Sequence, residues 1–357
     1  VVADEAQHVK NPFSATAKAL REIPAPARVA LTGTPVENNL SELWALLDWT
    51  TPGLLGPLKA FRSRHARAVE NHEEIEHEEA VERLARLVRP FLLRRRKSDP
   101  GIVPELPPKT ESDHPVSLTR EQASLYEAVV RETMARIEEA RGIARRGLVM
   151  ALLTSLKQIC NHPAQYLKEE APRGSGTARL AGRSGKLALL DELLDTILAE
   201  DGSVLVFTQY VTMARLLADH LAARGIPAQL LHGGTPVAER ERMVDRFQAG
   251  EVPVFLLSLK AAGTGLNLTR AGHVVHYDRW WNPAVEEQAT DRAYRIGQTQ
   301  PVQVHRLVAE GTVEDRIGEM LRAKRALADA VLGSGEAALT ELTDRELADL
   351  VSLRRPS

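Results

Sequence analysis

Residues 204–234 read VLVFTQYVTMARLLADHLAARGIPAQLLHGG. Val204 to Thr208 is a short apolar run with β-prone residues. Over 211–224 the apolar positions recur at helical spacing, and 228–231 is a second short apolar run. The same alternation extends in both directions. A helix at 186–199 comes before. A helix at 237–249, a strand VFLLS at 254–258, a strand at 273–277, a helix at 284–295, a strand at 302–308 and a helix at 312–331 follow. Strands alternating with helices of about 10–15 residues indicate a mostly parallel sheet covered on both faces, an α/β fold.

Upstream the pattern is less regular. Ala27 to Leu31 is β-like and ends in Thr32-Gly33-Thr34-Pro35, and ENNLSELWALLDW at 37–49 reads as a helix. Residues 60–88 read as a charged helical stretch, and Arg94-Arg95-Arg96-Lys97 follows. Pro100, Pro104, Pro107 and Pro108 break regular structure and mark the best domain boundary. Residues 117–167 are helical again, and 171–185, rich in Gly, Ser, Ala and Arg, reads as a flexible loop.

At 357 residues the chain is long enough for two or three domains. Hydrophobic residues are 43% and charged residues 26%, which excludes a disordered chain. The net charge of -2 means that any nucleic-acid site must be a local patch. The single cysteine, Cys160, excludes a disulfide framework and a multi-cysteine zinc site. No apolar run is long enough for a transmembrane helix. VVADEAQHVK is neither signal nor transit peptide. The chain reads as soluble and intracellular.

Four elements suggest phosphate chemistry. Asp4-Glu5 ends an apolar run. An aspartate at a strand tip can hold Mg²⁺, and a neighbouring glutamate can orient an attacking water. Two exposed acids at a strand end is the competing reading. Arg292 and Arg295, three apart in EEQATDRAYRIGQ, would share one face of a helix and could reach phosphoryl oxygens. They could equally pair with Asp291 or Glu287. Gly263-Thr264-Gly265 would let backbone approach phosphate, or be a tight turn. Thr32 and Thr34 flank a turn of the same kind. Three other features point nowhere. His72 and His77 fit a solvated helix face, Cys160 with His162 fits a core, and Arg94 to Lys97 could touch DNA phosphate or pair with acids.

Singly these are common, but DEAQ, LTGTP, VLVFTQY, LLHGGTP, SLKAAGTGLNL and QATDRAYRIGQ occur in this order and at strand ends. Together they resemble the Swi/Snf-type DNA-dependent ATPases of helicase superfamily two. RWWNP at 279–283, QICNHP at 158–163 and SGKLALLDELL at 184–194 also look like that family, and the tail looks like its bacterial members. The resemblance implies RecA-like parallel sheets in two lobes, the first incomplete, with helical insertions. It implies ATP and Mg²⁺ as cofactors and double-stranded DNA as partner, held mainly by its phosphates. It also implies a monomer, with no membrane and nucleoid association in a bacterial cytoplasm.

Roles carry over only to matching positions. Asp4 would bind Mg²⁺ and Glu5 activate water. Thr32 and Thr34 would couple nucleotide state to DNA. Gln288, Arg292 and Arg295 match the motif that supplies arginine fingers. Gln288, Asp291, Gly263 and Gly265 would bind nucleotide. Gln209, His232, Lys260, Thr264 and Trp281 would lie near the DNA track. Trp280 and Trp281 match a family aromatic pair, with burial as the other reading. The implied domains are lobe one at 1–110 with an insertion at 56–90, and a helical protrusion and linker at 111–172. Lobe two would occupy 173–311, and a helical brace and tail 312–357.

One departure matters. The family places a Walker A loop, G-x-x-x-x-G-K-[ST], upstream of DEAQ, and only three residues stand there. GRSGKL at 182–187 has the wrong glycine spacing and a leucine for the hydroxyl; Ser184 fits a helix N-cap instead. The expectation is a C-terminal portion of a translocase or remodeller, unable to hydrolyse ATP alone. The alternatives are a non-catalytic DNA- or partner-binding module and a strand-separating helicase.

Overall fold

The computed structural model describes residues 1–32, 40–63, 83–93, 97, 101–169, 180–262, 265–280, 283–318 and 344–353. The chain forms two compact units that part between Ile102 and Val103.

In the first unit, β1 (Val2–Ala3) pairs in parallel with β2 (Val29–Ala30), with Val2 opposite Val29. Between them runs α1 (Ala15–Glu22), whose first turn is capped by Ser14 accepting from the Ala17 N–H at 3.2 Å. Sequence reading finds no helix here, because ATAKALRE offers no broad apolar stripe; only Ala17 is buried. α2 (Leu40–Thr50) matches the expected helix. It buries Leu43, Trp44 and Leu47 against Phe61, Leu84 and Val88. Trp44 keeps its indole N–H satisfied by donating to the Gly56 carbonyl at 2.8 Å.

The second unit is built on six parallel strands. They are β3 (Lys109–Val116), β4 (Val204–Thr208), β5 (Ala228–Leu231), β6 (Val254–Ser258), β7 (His273–His276) and β8 (Val302–Ala309). Their spatial order is β3-β8-β7-β4-β6-β5, every pair parallel. All five residues of β4 and of β6 are buried, as central strands covered on both faces must be.

The period-two alternation divides the core. Val204 and Val206 face α5 (Gly185–Ala199) and α6 (Val211–Ala223), with Leu190, Leu194, Leu217 and Leu221. Leu205 and Phe207 face the other side, with Phe247 of α7 (Val237–Gln248) and Ala289 of α8 (Pro283–Thr290). α5 starts at Gly185 for a steric reason. A Cβ there would stand 2.3 Å from the Ser117 carbonyl oxygen. Two long helices, α3 (Arg120–Glu139), with a Thr119/Gln122 capping box, and α4 (Gly142–Asn161), pack beside this sheet. A C-terminal helix, Asp344–Val351, lies on the first of them and buries Leu347 and Val351. No helix among the described residues is long and apolar enough to cross a membrane.

Two differences from the sequence reading are informative. The sequence reading assigns no strand between the proline cluster and the helical stretch from 117, and Lys109–Val116 is an edge strand there. KTESDHPV carries charge and Pro115, features that demote a central strand but suit an edge. The expected helix 284–295 ends at Thr290, and residues 291–295 continue as turns.

Three histidines cross adjacent strands. His114 Nε2 on β3 lies 3.0 Å from His305 Nδ1 on β8, and His305 Nε2 lies 3.4 Å from His273 Nδ1 on β7. Burial and the two neighbouring rings lower His305 to about 4, and burial, aided by the Arg306 and Arg279 charges and opposed by Glu286, drives His276 to about 4 as well. Both groups bind a proton more readily unfolded than folded. Their contribution to stability is therefore whole above about pH 6.5 and declines as pH falls toward 4. A melting-temperature profile should be flat just above neutrality and fall through that window. His305→Gln should reduce the slope there; an unchanged slope would remove His305 from the account.

Candidate functional site

The first unit presents its acids at one sheet end. Leu31 N–H donates to the Ala3 carbonyl at 2.8 Å and Ala6 N–H to the Leu31 carbonyl at 2.9 Å. Because β1 and β2 are parallel, this brings Asp4, Glu5 and Thr32 to the same C-terminal edge. Glu5 has φ 49°, a left-handed conformation that non-glycine residues avoid and functional sites often retain. Asp4 is exposed, and its Oδ1 accepts from the Glu5 N–H at 2.9 Å. An exposed carboxylate at a strand tip fits Mg²⁺, which is usually held by one or two carboxylates plus substrate phosphate and water. The described residues gather no cluster of three or more metal ligands. Thr34 lies outside the described residues.

In the second unit the parallel strands send their C-terminal ends to one edge. Gln209 follows β4, His232 follows β5, and Asp278 and Arg279 follow β7. Lys260 follows β6 on the turn Leu259–Ala262, its side chain outside the described residues. The chain leaves β4 toward β6 and β5 on one side, then fills β7 and β8 on the other. The C-terminal end of β4 is thus a topological switch point, where open α/β sheets bind ligands. Gln209 stands there, half-buried.

The neighbouring loops are braced. His232 Nδ1 accepts from the Gly234 N–H at 3.0 Å, which leaves the ring proton on Nε2. Arg240 donates to the carbonyls of Thr235 at 2.8 Å and Gly233 at 3.0 Å and holds that loop. Leu268 N–H donates to the Arg292 carbonyl at 2.9 Å, which joins the loop of exposed Gly265 (φ 68°) to the arginine turn. Gln298 ties the same turn to the Ala271 and Ala293 carbonyls at 3.0 and 3.1 Å. His276 Nε2 and Thr290 Oγ1, 2.9 Å apart, fix the end of α8.

The arginines correct the sequence reading. They do not share a face of an α-helix, because α8 stops before both. Arg292 is only 7% exposed, whereas Arg295 is exposed. Gln288 and Asp291 are half-buried beside them. Trp280 packs on the core beneath, with its backbone N–H donating to Glu286 at 2.7 Å. Glu286 is buried. Burial raises its carboxyl, but Arg279 at 3.1 Å, His276 and the Trp280 N–H together hold it below the usual range. Gly263, Thr264 and Trp281 lie outside the described residues. Cys160 and His162 are core groups, as expected. His162 caps a turn by accepting from Ala164 N–H at 3.0 Å, and burial pushes the Cys160 thiol upward.

One charged group was missed by sequence reasoning. Lys157, Asn161, Lys186, Asp278 and Glu314 are all buried together beneath the switch point. Asp278 accepts from Thr208 Oγ1, from Gln209 N–H at 3.0 Å and from Asn161 Nδ2 at 3.2 Å. Lys157 donates to the Arg279 carbonyl, which also receives Gln209 Nε2 at 3.3 Å. Lys186 binds Glu314 at 2.7 Å and Asn161 Oδ1 at 3.3 Å. Burial lowers Lys157 to about 8 and raises Asp278, each opposed by the other's charge. The available signal was an ionisable residue inside an apolar run: Lys157 in LLTSLKQIC and Asp278 ending HVVHYD.

Comparison with known proteins bears on the family and the fold. A model of the SNF2-related domain matches residues 1–165, and one of the helicase conserved C-terminal domain matches residues 185–297. A Bacillus subtilis protein named as an ATP-dependent helicase/translocase, YwqA, is 46% identical over 351 residues, 98% of this chain and 37% of its own length. The mouse SWI/SNF-related matrix-associated actin-dependent regulator of chromatin subfamily A member 1 is 37% identical over 94% of this chain and 32% of its own length. The chain therefore spans 37% or less of these two curated relatives. The solved Sulfolobus solfataricus SWI2/SNF2 ATPase core in complex with dsDNA is 37% identical with a TM-score of 0.61, covering 99% of this chain and 73% of that one. On both its matched domains and its RecA-like α/β architecture, the chain belongs to the SNF2 family of helicase superfamily two ATPases.

Proposed function

We propose that the chain is the motor portion of an ATP-driven double-stranded-DNA translocase or remodeller. The observation that carries this reading is the sheet edge of the second unit. It brings Gln209 and His232 together at the C-terminal ends of β4 and β5, beside a switch point, in a chain of the SNF2 family. The relative solved in complex with dsDNA supports DNA as the partner. Gln209, His232, Lys260, Thr264 and Trp281 meet mainly phosphate, so binding is little dependent on sequence and weakens with salt.

Asp4 is the residue to hold Mg²⁺, which when bound neutralises charge on the phosphates. Glu5 orients water, and Arg292 and Arg295 supply positive charge to the transferring phosphoryl group. Gln288, Asp291, Gly263 and Gly265 bind nucleotide, and Thr32 and Thr34 couple its state to DNA. Residues 1–110 serve as part of lobe one and 111–172 as protrusion and linker. Residues 173–311 serve as lobe two and 312–357 as brace and tail. The protein acts as a monomer in a bacterial cytoplasm, on nucleoid DNA.

The chain carries no G-x-x-x-x-G-K-[ST] loop. By itself it is therefore inactive toward ATP and binds DNA only. The test compares duplex-DNA-stimulated phosphate release by this chain and by a form extended upstream through such a loop. The extended form should respond to duplex DNA, with the DNA requirement rising steeply between low and moderate salt. No response to DNA in the extended form would favour a scaffold or partner-binding role.

A further inference from the structure

The buried charged group beneath the switch point has an arrangement that stability alone does not require. Burying ions costs several kcal/mol each, and well-packed apolar residues of similar volume are often at least as stable. Four ionisable side chains are nonetheless enclosed here: Lys157, Lys186, Asp278 and Glu314. They come from four separate stretches of chain: helix Gly142–Asn161, α5, the end of β7, and 313–318.

Their bonds converge on one residue. Asp278 Oδ1 accepts the Gln209 backbone N–H at 3.0 Å. The Gln209 side chain donates to the Arg279 carbonyl at 3.3 Å, and the same carbonyl receives Lys157 Nζ. Asn161 donates to Asp278 Oδ2 at 3.2 Å while accepting from Lys186 at 3.3 Å. Its own carbonyl receives Ser184 Oγ at 2.6 Å and Tyr277 Oη at 3.0 Å. Both the backbone and the side chain of Gln209 are thus set by groups that follow the neighbouring strand β7. A carboxylate with these donors is rigid, since moving it would strand a buried charge.

We propose that Asp278 and Lys157 are positioning residues that hold Gln209 in its DNA-engaging geometry and link the helix Gly142–Asn161 to that contact. The inference rests on the proposed reading that Gln209 meets DNA. The test uses the ATP-hydrolysing form extended upstream and reads two quantities: the duplex-DNA concentration for half-maximal stimulation, and the rate at saturating DNA.

Gln209→Ala should raise the half-maximal DNA concentration about tenfold, the effect of losing one charge-assisted contact. Asp278→Asn should raise it about as much, with the saturated rate within about twofold of the parent. Lys157→Met should raise it about threefold. The double variant Gln209→Ala/Asp278→Asn should be no worse than the worse single variant, because Asp278 acts through Gln209.

If Gln209→Ala shifts the DNA requirement and neither Asp278→Asn nor Lys157→Met does, the positioning role is overturned and the DNA reading stands. Additive effects in the double variant would overturn it too. If Gln209→Ala leaves the DNA requirement unchanged, the reading beneath the proposal fails with it. If Asp278→Asn no longer melts cooperatively, Lys157→Met carries the same comparison. Loss of folding in both would make the network a stabilising device only.

Discussion

Arg295→Ala, in the form extended upstream through a phosphate-binding loop, is expected to lower duplex-DNA-stimulated ATP hydrolysis by about a thousandfold or more. An arginine that meets the transferring phosphoryl group contributes about 10³–10⁵ in rate, because charge develops there in a site with few waters to screen it. Arg295 is the better test of the two arginines. It is exposed, so its removal leaves no cavity and the melting temperature should hold. Arg292 is 7% exposed, and its backbone carbonyl receives Leu268 N–H. Its replacement would disturb packing, so a lost rate would not isolate the chemistry. Arg295→Lys should also be poor, since an ammonium lacks the planar fork that engages two phosphate oxygens. The measurement is phosphate release at saturating ATP and DNA, with DNA binding followed separately. A rate within about threefold of the parent would take Arg295 out of the chemistry.

Breaking the Lys186–Glu314 pair should have the largest effect on stability. Both side chains are 0% exposed, and Nζ lies 2.7 Å from the carboxylate. Glu314 also accepts the Ala309 N–H at 3.1 Å, which anchors the end of β8. Lys186→Met would leave Glu314 buried with its charge uncompensated, at a cost of about 3–5 kcal/mol. Glu314→Gln would leave Lys186 in the same position, with a cost of similar size. The double variant Lys186→Met/Glu314→Gln should cost far less than the sum of the two. Urea midpoints for the four proteins give the coupling directly. Additive costs would mean that the two charges do not depend on each other, contrary to the geometry.

Much of the sheet could be read before the structure. VLVFT and VFLLS are fully buried strands because a central parallel strand needs apolar residues on both faces, and that leaves a short unbroken run. α5, α6 and α7 were equally visible, since each carries a one-sided apolar stripe between turn residues. β3 was not visible. An edge strand has one paired side only, and its composition of KTESDHPV carries no burial signal. Its place depends on β8, far along the chain, where Arg306 meets Glu111 and Asp113. The arginine turn was misread for a related reason. Helical spacing continues through QATDRAYR, but the backbone after Thr290 folds into turns held by Leu268 and Gln298, which no local pattern announces.

By itself the sequence determined the family, the alternation of the second unit and the identity of the motif residues at strand ends. These are local properties, carried by contiguous motifs and by apolar periodicity within single elements. Only the tertiary structure decided which charges are buried and what they hold. Lys186 and Glu314 are 128 positions apart, and Asn161 and Asp278 are 117 apart. A charge inside an apolar run is tolerated only where its partner arrives from elsewhere in the fold, and that arrival is set by long-range packing rather than by neighbours in sequence.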